Sequence, residues 1–195
     1  MRPLNESIAP AGIVLAAGAG RRFEGGVKQL APLRGRPLLA YAVEAMLSVP
    51  ALDPVVVVLG HAAEEIAAAV DLAGATVVVA ADWDDGQSAS LKRGVAAAGD
   101  AGAVVVTLGD QPFITPHVIA GALDHLEGHD AVRATYGGTP GHPVVLSRPV
   151  MDAVAELRGD TGARDLLARF RVRRWEAGHL CSAADVDTQE ELARL

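Results

Sequence analysis

Four short aliphatic runs, residues 12–17, 54–60 (PVVVVLG), 75–79 (ATVVV) and 103–108 (AVVVTL), alternate with three Ala-rich stretches of helical spacing at 37–48, 62–72 and 88–98. Unbroken β-branched runs of this length predict strands buried on both faces. Strands that alternate with helices require parallel pairing through right-handed crossovers. The chain therefore predicts an α/β fold, Rossmann-like, with three α/β/α layers and a mostly parallel central sheet. Ligands in such sheets bind beyond the carboxyl ends of the strands. After residue 112 the pattern weakens, and residues 131–147 (AVRATYGGTPGHPVVLS) read as short strands around a Gly-rich turn, a small β-rich insertion.

A length of 195 residues, half of them hydrophobic, suits a single core-forming domain over residues 11–195, preceded by a flexible segment at residues 1–10. The net charge of −7 argues against a nucleic-acid binder, whose footprint would be basic. Cys181 is the one cysteine, which excludes an internal disulfide framework and a Cys-based zinc cluster and fits a reducing compartment. The opening MRPLNESIAP lacks the basic start and apolar stretch of a signal peptide, and no run has the length of a membrane span. A cytoplasmic protein with no membrane partner is expected.

Residues 13–39 join a strand to a glycine-rich loop that carries Arg21, Arg22 and Lys28. Gly18 and Gly20 would remove Cβ atoms that hold an anion away from backbone N–H groups, and the basic residues would neutralise a triphosphate. A tight strand exit needs positive φ whether or not it binds anything, so a purely structural turn is the other reading. Neither GxxxxGK[ST] nor a GxGxxG that opens directly into a helix is present.

Three loops should converge on the carboxyl rim of the sheet: Gly18 to Lys28, AADWDDGQSAS, and Gly109–Asp110–Gln111–Pro112. Asp110 either caps its turn or holds Mg²⁺, a cation that takes one or two protein carboxylates and completes its shell with phosphates and water. A second carboxylate is available in ADVDTQEELARL, from Asp185 or Asp187, although Asp187–Thr188–Gln189–Glu190 also reads as a helix N-terminus. His61, His117, His125, His129 and His179 have no metal-site spacing.

Taken together, these segments resemble the molybdenum cofactor cytidylyltransferases, a molybdopterin nucleotidyltransferase-like family whose wider group includes guanylyl enzymes. Leu15–Ala16–Ala17–Gly18, with Arg22 and Lys28 beyond it, looks like the family's nucleotide signature. WDDGQSASLKRG (83–94), GDQP, Gly141–His142–Pro143–Val144, Gly159–Asp160–Thr161–Gly162–Ala163–Arg164 and Asp185–Val186–Asp187–Thr188 follow in the family's order over nearly the whole chain. Gly20 departs from the family, where a serine is common.

The resemblance implies a fold of the nucleotide-diphospho-sugar transferase type and transfer of CMP from CTP to the phosphate of molybdopterin, with release of pyrophosphate. It implies catalytic roles for Arg22, Lys28 and Asp110, Mg²⁺ on Asp110 and Asp187, and nucleotide contacts from Leu15 to Gly20, Ala19 included, and from Lys28, Gly86, Ser88 and Ser90. Gln111, Gly141, His142, Asp160 and Arg164 would face the acceptor. His142 also reads as a structural turn residue, and Asp160 with Arg164 as a capped helix start. Ala17 favours CTP, since guanylyl relatives carry LAGG. Three alternatives stand: GTP as donor, a different phosphate acceptor, or a carrier that delivers the cofactor to a molybdoenzyme without turnover.

Overall fold

The computed structural model describes residues 8–157 and 166–195; Asp160 and Arg164, and the first seven residues, lie outside them. The described strands are β1 Ala11–Ala16, β2 Pro32–Leu33, β3 Arg36–Pro37, β4 Val55–Leu59, β5 Thr76–Val79, β6 Ala103–Leu108, β7 Ala131–Tyr136, β8 Thr139–Ser147 and β9 Val172–Glu176. The described helices are α1 Leu38–Leu47, α2 Ala63–Ala69, α3 Gln87–Ala97, α4 Pro116–Asp124, α5 Arg148–Ala153 and α6 Gln189–Ala193. Each of the four aliphatic runs and three Ala-rich stretches is an element of the expected type.

Seven strands form one sheet in the order β5-β4-β1-β6-β8-β7-β9, while β2 and β3 make a separate antiparallel ribbon. The pairs β5–β4, β4–β1 and β1–β6 are parallel, as the crossover helices require. β8 runs antiparallel to both β6 and β7, and β9 is parallel to β7. The 131–147 insertion is thus an extension of the central sheet.

β1 is buried on both faces because alternate residues enter different cores. Ile13 and Leu15 join Val58, Leu91, Val106 and Met151 beneath α3 and α5; Val14 and Ala16 join Leu39, Met46, Val57 and Ile119 beneath α1 and α4. The layers sit close: a Cβ on Gly12 would lie 2.6 Å from Met46 of α1, and one on Gly94 of α3 would lie 2.7 Å from Ile13. Burial of each Val, Leu or Ile side chain contributes roughly 1.5–3 kcal/mol, so this double packing fixes the strands on which the loops stand.

One strand departs from expectation. β5 was expected to be buried on both faces, but it forms the edge of the sheet, with Val77 40% and Val79 56% exposed. A β-branched run reports strand propensity and leaves open how many neighbours the strand acquires.

Candidate active site

β1 ends at Ala16, and the loop beyond it is held by backbone contacts before any ligand is considered. Gln29, 4% exposed in the short 3-10 turn Lys28–Leu30, donates to the carbonyls of Ala16 (3.0 Å) and Gly18 (2.8 Å). The His61 N–H donates to Ala17 O at 3.0 Å. Phe23 buries its ring with Leu33, Leu38 and Val186, tying the loop to the C-terminal segment.

The two glycines expected to admit an anion have different surroundings. A Cβ on Gly18 would meet nothing within 4 Å, so this backbone faces open space. Gly20 has φ +57° and a Cβ there would lie 2.9 Å from Lys28 Cβ. Its glycine is required by the left-handed turn and by the close approach of Lys28 rather than by room for a ligand.

Lys28 Nζ lies 2.5 Å from Asp110 Oδ2 and 3.2 Å from Asp187 Oδ1, and Arg22 contacts Asp187 Oδ2 at 2.7 Å. Burial disfavours the Lys28 charge, but the charge of Asp110 and the hydrogen bonds to both carboxylates outweigh it and hold the ammonium above its ordinary pKa. The two acidic segments meet through the main chain as well, because Val186 N donates to Asp110 O at 3.1 Å.

The C-terminal acidic stretch does begin a helix, but the carboxylate of Asp187 takes no part in the cap. Thr188 is the N-cap of α6 and forms a reciprocal capping box with Glu191. Asp187 gives only its N–H to Glu191, at 2.7 Å, which leaves its carboxylate to Lys28 and Arg22. Asp185 instead accepts from Gln111 Nε2 at 2.5 Å. Burial, offset in part by that Gln111 bond, raises the Asp185 pKa, with Asp110 and Asp187 adding to the rise.

The donor set fits a divalent cation bound together with a polyphosphate. Asp110 Oδ1 is buried with no hydrogen-bond partner, an oxygen that a hard cation would satisfy. No group of three or more His, Cys, Asp or Glu capable of holding a metal exists among the described residues, so phosphate and water would have to complete the shell.

These groups line a cleft of about 600 Å³ together with Leu15, Ala17, Gly18, Ala19 and Gly20. The opposite wall consists of Trp83, Asp84, Gly86, Gln87 and Ser90 from the segment after β5 and the start of α3. Gly86 turns the chain into α3 with φ 109°. Trp83 meets the His61 ring edge-on at 5.3 Å, and Gly60 must be glycine there, since a Cβ would lie 2.6 Å from Trp83 Cβ.

Not every expected residue lines this cleft. Ala16 contributes its carbonyl to Gln29 and borders a smaller recess beside the cleft. Ser88 lines a small chamber of about 30 Å³ behind it, with Leu15, Gln87 and His142. Gln111 is 3% exposed and spends its amide on Asp185 and the carbonyl of Ala183. Gly141 leaves room for Tyr136, whose ring would be 2.9 Å from a Cβ, and the Tyr136 hydroxyl donates to His142 O at 2.6 Å. Burial of the His142 ring, with Arg133 nearby, lowers its pKa to about 4, so the imidazole is neutral at pH 7.

Sequence reasoning gave no site role to Gln29, Trp83 or Asp84. The signals were present: Gln29 adjoins Lys28, and the other two lie inside the WDDGQSAS segment.

Comparison with known proteins agrees with this geometry. Nicotine blue oxidoreductase from Paenarthrobacter nicotinovorans is 36% identical over 198 residues, covering 94% of this chain and 95% of that protein. Rv0371c from Mycobacterium tuberculosis H37Rv superposes with a TM-score of 0.87 at 33% identity, covering 97% of this chain and 98% of that one. A complex of Rv0371C with manganese gives a TM-score of 0.82 at 32% identity, over 96% and 97% of the two chains. A nucleotidyl transferase from Methanothermobacter thermautotroptrophicus, Mth528, gives 0.81 at 25% identity, over 95% of each chain. Residues 12–175 match the model of the MobA-like NTP transferase domain, a span that contains the glycine loop, Lys28, Asp110 and the strands that carry them. The chain belongs to the MobA-like NTP transferase family and is a nucleotidyltransferase.

Proposed function

We propose that the protein transfers CMP from CTP to the phosphate of a molybdopterin-type acceptor and releases pyrophosphate. The observation that carries this reading is the convergence of Lys28, Asp110, Asp187 and Arg22 at one end of a cleft whose other parts are backbone of the Ala17–Gly20 loop and the start of α3. An acceptor phosphate oxygen attacks the α-phosphorus in line, the bond to the β-phosphate bridging oxygen breaks, and pyrophosphate leaves with that electron pair. Catalysis of this kind needs positioning and charge neutralisation and no covalent intermediate.

Arg22 and Lys28 would hold the triphosphate and neutralise charge on the departing pyrophosphate. Backbone N–H groups beside Gly18 would bind phosphate oxygens, and the Gly86 to Ser90 segment would meet the ribose or base. Asp110 and Asp187 are the residues that would hold Mg²⁺; when bound it would offset phosphate charge. The manganese complex of Rv0371C supports a divalent ion in this fold. Ala17 supports CTP through the likeness of Leu15–Ala16–Ala17–Gly18 to the cytidylyl pattern, since guanylyl relatives carry LAGG.

The likeness to nicotine blue oxidoreductase favours one second reading, in which the same cleft holds the diphosphate of a nicotinamide dinucleotide and the protein reduces an organic acceptor. Thermal unfolding with CTP, GTP, ATP, UTP and NADPH, each with and without Mg²⁺, separates the two. A ligand at 100 times its Kd stabilises by about 2.7 kcal/mol. A CTP-selective, Mg²⁺-dependent shift that disappears in Asp110→Asn, with pyrophosphate release on adding molybdopterin, supports transfer. A GTP-selective shift moves the donor to GTP, an NADPH-selective shift supports the second reading, and no shift at all removes the nucleotide site.

A further inference from the structure

The two residues that would hold a divalent cation already hold an ammonium between them. Of the four carboxylate oxygens of Asp110 and Asp187, three are taken by cations of this chain. Lys28 Nζ lies 2.5 Å from Asp110 Oδ2 and 3.2 Å from Asp187 Oδ1, and Arg22 lies 2.7 Å from Asp187 Oδ2. The fourth, Asp110 Oδ1, is the buried oxygen without a hydrogen-bond partner. A hard cation binds carboxylate oxygens directly and is repelled by an ammonium in contact with the same oxygens. Lys28 and the metal therefore compete for one place.

The charge of the cleft makes this competition matter. Arg21, Arg22 and Lys28 line it against Asp84, Asp110 and Asp187, three cations against three carboxylates. A divalent ion arriving alone would add two uncompensated positive charges to a balanced set. A triphosphate changes the balance, because its oxygens offer Lys28 and Arg22 other anions to hold. Space for a shifted Nζ lies on the loop side, where Lys28 also borders a recess of about 70 Å³ with Gly18 and Gly20.

We propose that Lys28 occupies the cation seat of the nucleotide-free protein, and that triphosphate and divalent ion bind cooperatively because the triphosphate draws Lys28 and Arg22 off the two carboxylates. The proposal rests on the reading above for its ligands, a nucleoside triphosphate and a divalent ion held by Asp110 and Asp187. Coupling of this kind is reciprocal. Removal of the ammonium should thus let the protein hold the metal without nucleotide.

The probe is Mn²⁺ alone, titrated into nucleotide-free protein at neutral pH and followed by loss of the free-ion EPR signal. Lys28→Gln should bind Mn²⁺ about tenfold more tightly than wild type, within the range of ordinary coupling between sites. Arg22→Gln, which frees one oxygen of Asp187 at an exposed position, should gain about threefold. Arg21→Gln is the charge control: Arg21 lines the same cleft and makes no ion pair among the described residues, so its loss should leave the affinity within about twofold. Lys28→Gln leaves Asp110 and Asp187 without their shared cation and should unfold at a lower temperature than wild type. Mn²⁺ should restore its midpoint while shifting wild type little, so a variant that folds only with the ion gives the expected result in its extreme form.

Equal Mn²⁺ affinity in wild type, Lys28→Gln and Arg22→Gln overturns the proposal, as does an equal gain in Arg21→Gln, which would report cleft charge alone. A Lys28→Gln protein that Mn²⁺ fails to restore, together with an unchanged Arg22→Gln, also overturns it. Tighter Mn²⁺ binding by Lys28→Gln in a protein whose wild type turns over no nucleotide keeps the displacement and removes the transfer reading. CTP-dependent pyrophosphate release by wild type, with Mn²⁺ affinity indifferent to Lys28, does the reverse.

Discussion

The two ends of the sheet manage their polar groups in opposite ways. Around β1, β4 and β6 the charged and polar side chains are buried and committed: Lys28 is 7% exposed between two carboxylates, and Gln29 is 4% exposed between two carbonyls. On the β7–β8–β9 wing several polar contacts sit at the surface. Arg171 pairs with Asp130, Glu176 gathers the N–H groups of a turn, and Arg174 stays in solvent. A buried group left unsatisfied costs stability, so the contacts of Lys28 and Gln29 hold the loop in place. Surface groups are exchanged at little cost, so the wing tolerates substitution without unfolding of the sheet.

The comparison is broken most directly by Asp110→Asn. This variant should lower CTP-dependent pyrophosphate release by about 10²- to 10³-fold, the scale on which a preorganised electrostatic contact is lost. Arg171→Gln, which removes an exposed ion pair on the wing, should leave turnover close to wild type. Equal losses of turnover at the two positions would erase the distinction between committed and exchangeable ends.

Gln29→Leu tests commitment without touching an ion pair. It removes donors to two carbonyls, Ala16 and Gly18, of which Ala16 belongs to a buried strand end. Denaturant unfolding should show a loss of about 1–3 kcal/mol. CTP affinity should fall as well, since the loop loses its anchor. A variant as stable as wild type would mean that the Lys28 contacts alone fix the loop.

The same division governs what could be read in the sequence. The parallel half was legible because a strand buried on both faces writes itself as an unbroken aliphatic run, as in VVVVL of β4. β5 has nearly the same letters and lies at the edge, because neighbour count is a property of the whole sheet. Asp187 was named ahead of Asp185, but the capping box that turns its carboxylate away from α6 involves Glu191, four residues on. Gln111, expected to face the acceptor, turns its amide inward to Asp185, a partner 74 residues away that the GDQP turn alone does not reveal. The apposition of Arg133 and Arg174 was invisible, since they lie 41 residues apart and are brought opposite one another only by the β7–β9 register. The Asp160 and Arg164 expectations fall outside the described residues.

Gly20→Ala sharpens the rigid side further. At φ +57° a non-glycine residue costs about 1–2 kcal/mol, and its methyl would press on Lys28 Cβ at 2.9 Å. Unfolding should show a loss of that size, together with weaker CTP binding as Lys28 is displaced. Gly18→Ala, where a Cβ meets nothing within 4 Å, should cost no comparable stability and should weaken CTP alone. If the two variants behave alike, Gly20 is no more constrained than Gly18.

The smallest effect is expected on the wing and only in acid. Glu176 accepts from the N–H groups of Gly137, Gly138 and Gly178 and from the Thr135 hydroxyl, and these bonds, with the turn's Gly137 and Gly138 leading, lower its pKa from the ordinary 4.5 to about 2. Between those values the unfolded chain binds a proton that the folded chain does not. The carboxylate therefore contributes its full stability above pH 4.5 and loses it as pH falls toward 2. His142, lowered to about 4 from 6.5, adds a separate loss that begins nearer pH 6.5. Urea unfolding of wild type and Glu176→Gln from pH 7 to pH 2 should give curves that are parallel through the His142 window and converge below pH 4.5. His142 is common to both proteins and cancels in the gap between the curves, so convergence that starts at pH 6 would overturn the lowered Glu176 pKa; a constant gap down to pH 2 would show that the turn is held by its glycines and not by the carboxylate.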